Sequence, residues 1–294
     1  MINVRRLAYA EITTPNPERL AAYYKDVMGL IEVGRQDETI FLATPTGQQA
    51  VHVSVGDTAQ CTRIGFEVPA ETDFQSVGKF LSAQGINSET RTSNSPGIDQ
   101  KLTFADNKGT AIDIFAEEQF SPSSLSPSSI KPLKLGHLAF QVNDIKKTVK
   151  FYEEILGFRV SDWRGDFFVF MRCGPDHHAV NFVTHERQKI HHIAFELKDW
   201  AEIQRACDHL GAHDIHLIWG PGRHIIGHNI FIYHRNPDNH IVECYTELDQ
   251  MKDETLGYWE PRPWHQEFPL RPKVWPVDTL GSYWGGGPRP DFAD

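Results

Sequence analysis

The chain repeats itself, and that repeat limits what it can fold into more than any other feature. Two stretches, "GHLAFQVND" from Gly136 and "HHIAFELKD" from His191, share His137/His192, Ala139/Ala194, Phe140/Phe195 and Asp144/Asp199, all 55 residues apart. A longer echo relates the two halves. "RLAYAEI" and "ERLAAYYKDVMGLIEV" align with "LGHLAFQV" and "KKTVKFYEEILGFRV", so that Tyr9 meets His137, Tyr24 meets Tyr152 and Gly29 meets Gly157, each 128 residues apart. Further on, Arg63 falls opposite His192 at 129 and Asp113 opposite Glu243 at 130. Self-similarity at a fixed period means one supersecondary unit copied, here four times.

Each unit opens with a strand. Leu138, Phe140 and Val142 alternate with His137, Ala139 and Gln141, and Ile193, Phe195 and Leu197 alternate with His192, Ala194 and Glu196, the two-residue period of a half-buried strand. One face is apolar; the other carries a histidine followed two positions later by alanine, which leaves space beside the imidazole. A helix follows, with Ile145, Val149, Tyr152 and Leu156 on one side, Asp144 as N-cap and Gly157 past the end. Trp200, Ile203, Cys207 and Leu210 repeat the pattern between Asp199 and Gly211. Short β-like runs such as "GFRVSDW", "DFFVFMR" and "AVNFVT" complete the unit. The pattern predicts an α+β protein of two domains, each of two βαβββ modules: residues 1–119 without a metal site and 134–247 with one. "FSPSSLSPSSIKP" reads as a Ser/Pro linker over 120–133. Residues 248–294, with four of the seven tryptophans, read as an extended Trp/Pro-rich tail over the body, covering a site or a subunit contact.

With 294 residues the chain has room for about two ordinary domains. A net charge of −10 without a Lys/Arg cluster argues against nucleic acid and anionic membranes. No apolar run approaches a bilayer span and no export signal stands at the N-terminus, which places the expected location in the cytoplasm. Cys61, Cys173, Cys207 and Cys244 form no CxxC and are expected reduced and buried. Histidine is the excess: eleven of fifteen fall between 137 and 228, which points towards a metal.

Where the first half has Tyr9, Arg63 and Asp113, the second has His137, His192 and Glu243. Two neutral imidazoles and one carboxylate, on three strands and on the face opposite the apolar one, make the facial triad that leaves positions open on ferrous iron. Singly, a strand histidine is commonly a satisfied core residue. The matched register of two copies is what speaks for ligation. Arg63, by contrast, would repel a cation at the first half's equivalent place.

These strands, together with "GPGRHIIGHNIFIYHRNPDNHIVECYTE" from Gly220 to Glu247, resemble the type I extradiol ring-cleaving dioxygenases of the vicinal oxygen chelate superfamily, over roughly residues 1 to 247. The resemblance implies an open mixed barrel in each domain. It also implies Fe(II), or Mn(II), on His137, His192 and Glu243, and extradiol (meta) cleavage of a catecholic ring by O2, as in bacterial aromatic degradation. His178 matches the acid/base histidine, with His177 as the alternative one residue away. His224 and Tyr233 match residues that hydrogen-bond the substrate oxygens. His228 has a counterpart in some relatives, with structural and functional readings equal. His191, of the wrong strand parity, is expected beside the ligands or at the surface, and Cys244 in the core. The family implies a homo-oligomer, a tetramer by preference. The rivals are a hydroquinone-cleaving dioxygenase, a lyase or isomerase of the same superfamily, and a binding protein that has lost the metal; the retained triad speaks against the last.

Overall fold

The computed structural model describes residues 1–122, 128 and 130–293; positions 123–127 and 129 of the expected linker lie outside them. The βαβββ order appears four times. The first module is β1 (Arg6–Thr14), α1 (Pro17–Asp26), β2 (Ile31–Gln36), β3 (Thr39–Ala43) and β4 (Gln49–Val55). The second is β5 (Gln60–Glu67), α2 (Phe74–Ala83), β6 (Ser88–Thr92), β7 (Gln100–Ala105) and β8 (Ala111–Phe115). The third is β9 (Lys134–Val142), α3 (Ile145–Phe151), β10 (Arg159–Arg164), β11 (Phe168–Arg172) and β12 (Val180–Thr184). The fourth is β13 (Lys189–Glu196), α4 (Trp200–Ala212), β14 (Trp219–Arg223), β15 (Ile230–Arg235) and β16 (Ile241–Thr246), and the tail adds β17 (Lys273–Trp275).

Two mixed sheets result, ordered β2-β3-β4-β1-β5-β8-β7-β6 and β14-β15-β16-β13-β9-β12-β11-β10-β17. In each, the first strands of the paired modules lie side by side and antiparallel, β1 with β5 and β9 with β13. Each also pairs parallel with the last strand of its own module, as β9 does with β12 and β13 with β16. A parallel pair needs a long crossover, which the intervening helix and two strands supply.

All four helices are capped by a short polar side chain, from Asn16, Asp73, Asp144 and Asp199, that accepts from the first turn. Two helix ends differ from the sequence expectation. After Phe151 the third helix widens into a π turn over Tyr152–Leu156 before Gly157 at φ 78°, and its last carbonyls, Ile155 O and Leu156 O, accept from Ile2 and Val4 N–H. The fourth continues through Gly211 to Ala212, and the left-handed residue is Asp214 at φ 56°. Trp200 is not part of the core: as the first helical residue it projects outward, 46% exposed, edge-on to Trp284 of the tail.

The apolar strand faces meet the helices in a core that runs through both halves. Leu138, Phe140, Val142, Ile193, Phe195 and Leu197 are buried in it, each side chain contributing about 1.5–3 kcal/mol of transfer free energy. Phe66 and Phe158 meet edge to face across the two halves at 5.4 Å, and the Tyr152 hydroxyl donates to Asp106 Oδ2 at 3.1 Å. The four cysteines are free, Cys173 and Cys244 buried and Cys61 and Cys207 partly so. No helix among the described residues is long and apolar enough to cross a membrane.

A second polar tie between the halves joins Tyr23 Oη to His234 Nε2 at 2.5 Å. Burial pushes His234 down to about 3, so it stays neutral in the fold, whereas an exposed histidine in the unfolded chain takes up a proton near 6.5. Its contribution is therefore complete above about pH 6.5 and is lost as pH falls towards 3. Replacement His234→Gln should destabilise the protein at pH 7, and that deficit should shrink by pH 4. Urea unfolding of both proteins at pH 7, 5 and 4 measures the difference.

Candidate metal centre

The register of the central strands builds this site. Across the antiparallel pair β9/β13, His137 faces Ala194 and His192 faces Ala139, while parallel β16 sets Glu243 beside Ala194. Each histidine thus has a methyl group opposite it instead of a competing side chain. His137 Nε2 lies 3.1 Å from His192 Nε2 and 3.0 Å from Glu243 Oε2, and His192 Nε2 lies 3.3 Å from the same oxygen. The three residues are 1%, 6% and 1% exposed.

Donor atoms held about 2.1 Å from one ion at right angles would be about 3.0 Å apart, so the set fits a divalent ion on one face. Burial, followed by the neighbouring His191, His137 and His224, holds His192 well below the ordinary histidine range, which keeps its ring neutral. Asn229 Nδ2 donates to Glu243 Oε1 at 2.9 Å, and His191 Nδ1 meets His192 Nδ1 at 2.7 Å.

The first half has the same register, with Tyr9 opposite Gly65 and Arg63 opposite Glu11. There the space is filled. A Cβ at Gly65 would sit 2.3 Å from the Tyr9 ring, so only glycine admits the tyrosine. Tyr9 Oη and Arg63 Nη1 donate to the two oxygens of Asp113 at 2.7 and 2.6 Å, Thr103 Oγ1 adds a third bond at 2.6 Å, and Lys101 Nζ stands at 3.4 Å. Burial would raise the Asp113 carboxyl, but Lys101 and Arg63 bring it below the usual range. A carboxylate so committed has nothing left for a cation.

His178 lines the cavity above the triad, its ring 4.3 Å from that of His137. His177 stands behind it, fully buried, between Asp162 Oδ2 at 2.9 Å and His178 Nδ1 at 3.0 Å. The carboxylate can only accept, so His177 gives it the Nε2 proton and shares one proton with His178 between the two Nδ1 atoms. Burial, then the surrounding His137, His177, His192 and His224, pushes His178 well below the ordinary range. His224 and Tyr233 also line the cavity, joined by Nε2 to Oη at 3.0 Å. Ala139 faces that space, whereas Ala194 does not: it lies under Tyr245 and Leu248, making room for the tyrosine that flanks His137.

His228 belongs to a second cluster, with Asp249 and His265 of the tail. Its N–O separations are 2.6 and 2.8 Å, those of two rings hydrogen-bonded to one carboxylate rather than of atoms grouped round an ion. Asp249 also ties the backbone together, accepting from His177 N and donating to Gly227 O. It thereby holds the turns that carry His178 and His224.

The cavity measures about 670 Å³. Phe168, Phe170, Val183 and Ile226 wall it from the body, and Leu280, Gly281 and Phe292 close it from the tail. The tail strand β17 extends the second sheet beside β10, and Lys273 N–H holds Asp162 Oδ1 at 2.7 Å. Gly281 O accepts from His224 Nδ1 at 2.7 Å and Gly286 O from Trp219 Nε1 at 2.9 Å. Burial lowers His191 to about 4, so its ring is neutral near pH 7, and the Phe292 ring lies edge-on to it at 5.2 Å. Sequence reasoning missed Asn229, Asp162 and these tail carbonyls. Asn229 lies within the diagnostic segment but has no local signature, and a backbone carbonyl has none at all.

The mixed α+β fold of paired βαβββ modules is glyoxalase-like, and one of its sheets carries a histidine–histidine–glutamate cluster. Residues 134–244 match the family profile described as the Glyoxalase/Bleomycin resistance protein/Dioxygenase superfamily, and the second half carries a domain of that superfamily. The manganese-dependent 2,3-dihydroxybiphenyl 1,2-dioxygenase of Geobacillus genomosp. 3 is 23% identical, covering 99% of this chain and 98% of its own length. The iron-dependent extradiol dioxygenase of Rhodococcus jostii is 22% identical, covering 86% of this chain and 93% of its own. Among solved structures, the Mn(II)-bound glyoxalase of Novosphingobium aromaticivorans superposes with a TM-score of 0.86 at 23% identity, over 100% of this chain and 95% of that one.

Removing the amide that orients Glu243 tests the geometry. Asn229→Ala is expected to weaken Fe(II) or Mn(II) binding by about 10–100-fold, as loss of a hydrogen-bond partner to a ligand typically does. Competition against a chelator of known affinity gives the number.

Proposed function

We infer that this protein cleaves a catecholic ring by the extradiol route, using O2 and a non-haem Fe(II) or Mn(II) ion held by His137, His192 and Glu243. The observation that carries this reading is the convergence of the triad with His178, His224 and Tyr233 at one end of a largely apolar cavity. When bound, such an ion supplies the electronic route between triplet O2 and a closed-shell ring, with open positions for both.

The chain's own groups do the rest. His224, whose Nδ1–H is committed to the Gly281 carbonyl, presents Nε2 as an acceptor, and Tyr233 donates its hydroxyl alongside. Together they suit a substrate hydroxyl that loses its proton and an oxygen that gains charge. His178, whose burial favours the neutral ring, takes up a proton and returns it during ring opening. Phe168, Phe170, Val183 and Ile226 exclude water and accept the ring and its substituents. Assembly into a homo-oligomer is part of this reading and rests on the family resemblance.

A lyase or isomerase of the same superfamily is the second reading, and the glyoxalase likeness speaks for it. Such sites draw four protein ligands from paired modules, whereas three donors converge here, and both relatives named above are ring-cleaving dioxygenases.

Anaerobic reconstitution with Fe(II), then O2 uptake and visible absorbance against a panel of catechols and hydroquinones, separates these readings. Uptake with a catechol, and a yellow ring-opened product, is expected. No O2 consumption with any member would sink the proposal. In the same assay His178→Ala should retain its metal and lose about 10²–10⁴-fold in turnover; unchanged turnover would remove His178 from the acid/base role.

A further inference from the structure

We propose that Asn181 is a specificity-determining residue of the cavity, and that its carboxamide hydrogen-bonds a neutral polar substituent, such as a third hydroxyl group, on the catechol ring. The inference rests on the extradiol reading above and adds a substrate class to it: catechols that carry a further hydrogen-bonding group.

The second sheet sets Asn181 in line with the metal centre. Its partner on β9 is Ala139, whose own partner on β13 is His192, and its partner on β11 is Phe170. One row across the sheet therefore reads His192, Ala139, Asn181, Phe170, and all four residues line the cavity. With neighbouring strands about 4.8 Å apart, the Asn181 backbone stands about 10 Å from that of His192. Between them Ala139 presents only a methyl group, which leaves room for a ring. His224 and Tyr233 enter from the end of β14 and from β15, on the opposite side of the three strands that carry the triad. Asn181 thus addresses a part of the substrate that they do not.

Its carboxamide is uncommitted. Asn181 is 3% exposed, and among the described residues its Oδ1 has no hydrogen-bond partner. Asn229, the other asparagine of the cavity, gives its amide to Glu243. Beside Asn181 on the same face stand Ala139, Phe170 and Val183, whose side chains cannot hydrogen-bond. A buried amide oxygen is costly to leave unmatched once a ligand excludes water. An apolar substituent seated there is therefore rejected, whereas a hydroxyl group donates to Oδ1 and is accepted. A carboxylate fits less well, because a buried charge needs a partner: Arg164, which also lines the cavity, stands two strands further out on β10 and commits Nε to Val277 O at 3.1 Å.

Pairs of substrates matched in shape test the idea on the full chain loaded with Fe(II): pyrogallol against 3-methylcatechol, and benzene-1,2,4-triol against 4-methylcatechol. Both kcat/KM and the Kd from anaerobic calorimetry should favour the hydroxyl member of at least one pair. Asn181→Leu should reduce that preference by about 10–100-fold, and Asn181→Ala should do so without the bulk of leucine. Comparing the ratio in parent and variant cancels the intrinsic reactivity of each ring. An unchanged ratio in both variants, or equal losses for both members of each pair, would overturn the proposal. So would a parent that prefers the methyl members, or one that prefers 2,3-dihydroxybenzoate. Calorimetry reads the Asn181 contact without O2, so its loss is distinct from failure of the extradiol reading, which would show as no O2 uptake with any catechol.

Discussion

The antiparallel pairing of the first strands of two modules is the contact on which the rest depends. In β9/β13 it sets histidine opposite alanine twice, and in β1/β5 it sets tyrosine opposite glycine and arginine opposite glutamate. The backbone solution is the same in both halves, and so is the apolar face that it presents to the helices. Because a strand's side chains alternate, one register fixes both faces together. The apolar face secures the pairing energetically, and the polar face inherits its geometry at no further conformational cost.

The two halves then show what can be placed on such a face. With Asp113 satisfied by Tyr9, Arg63 and Thr103, the first half is a closed ion-pair network whose energy goes into holding its own strands. With two imidazoles and a carboxylate held by one amide, the second gathers three donor atoms at its centre. The difference lies in the side chains at three equivalent positions and in the groups that surround them, and it separates a structural half from a candidate catalytic one.

The tail completes the second half. Its contribution is made largely through backbone groups: Lys273 N–H on Asp162, Gly281 O on His224 and Gly286 O on Trp219. The first two reach histidines of the site, His177 through Asp162 and His224 directly. Leu280 and Phe292 line the cavity as well.

Much of this was legible in the chain. The fourfold unit, the alternation of each first strand, the capping aspartates and the equivalence of His137 with His192 are all local or periodic, and local patterns survive in one dimension. Glu243 was reachable only through its repeat partner Asp113. What the tertiary structure decided is everything that depends on chain segments meeting. It placed His178 in the cavity and His177 behind it, although the two are neighbours with no local difference. It put Ala194 beneath Tyr245 and left Trp200 outside the core. It recruited Asn229 as a partner of Glu243 and the Gly281 carbonyl as a partner of His224. A period specifies which face a residue occupies; which atoms lie opposite that face is set only when distant segments pack together.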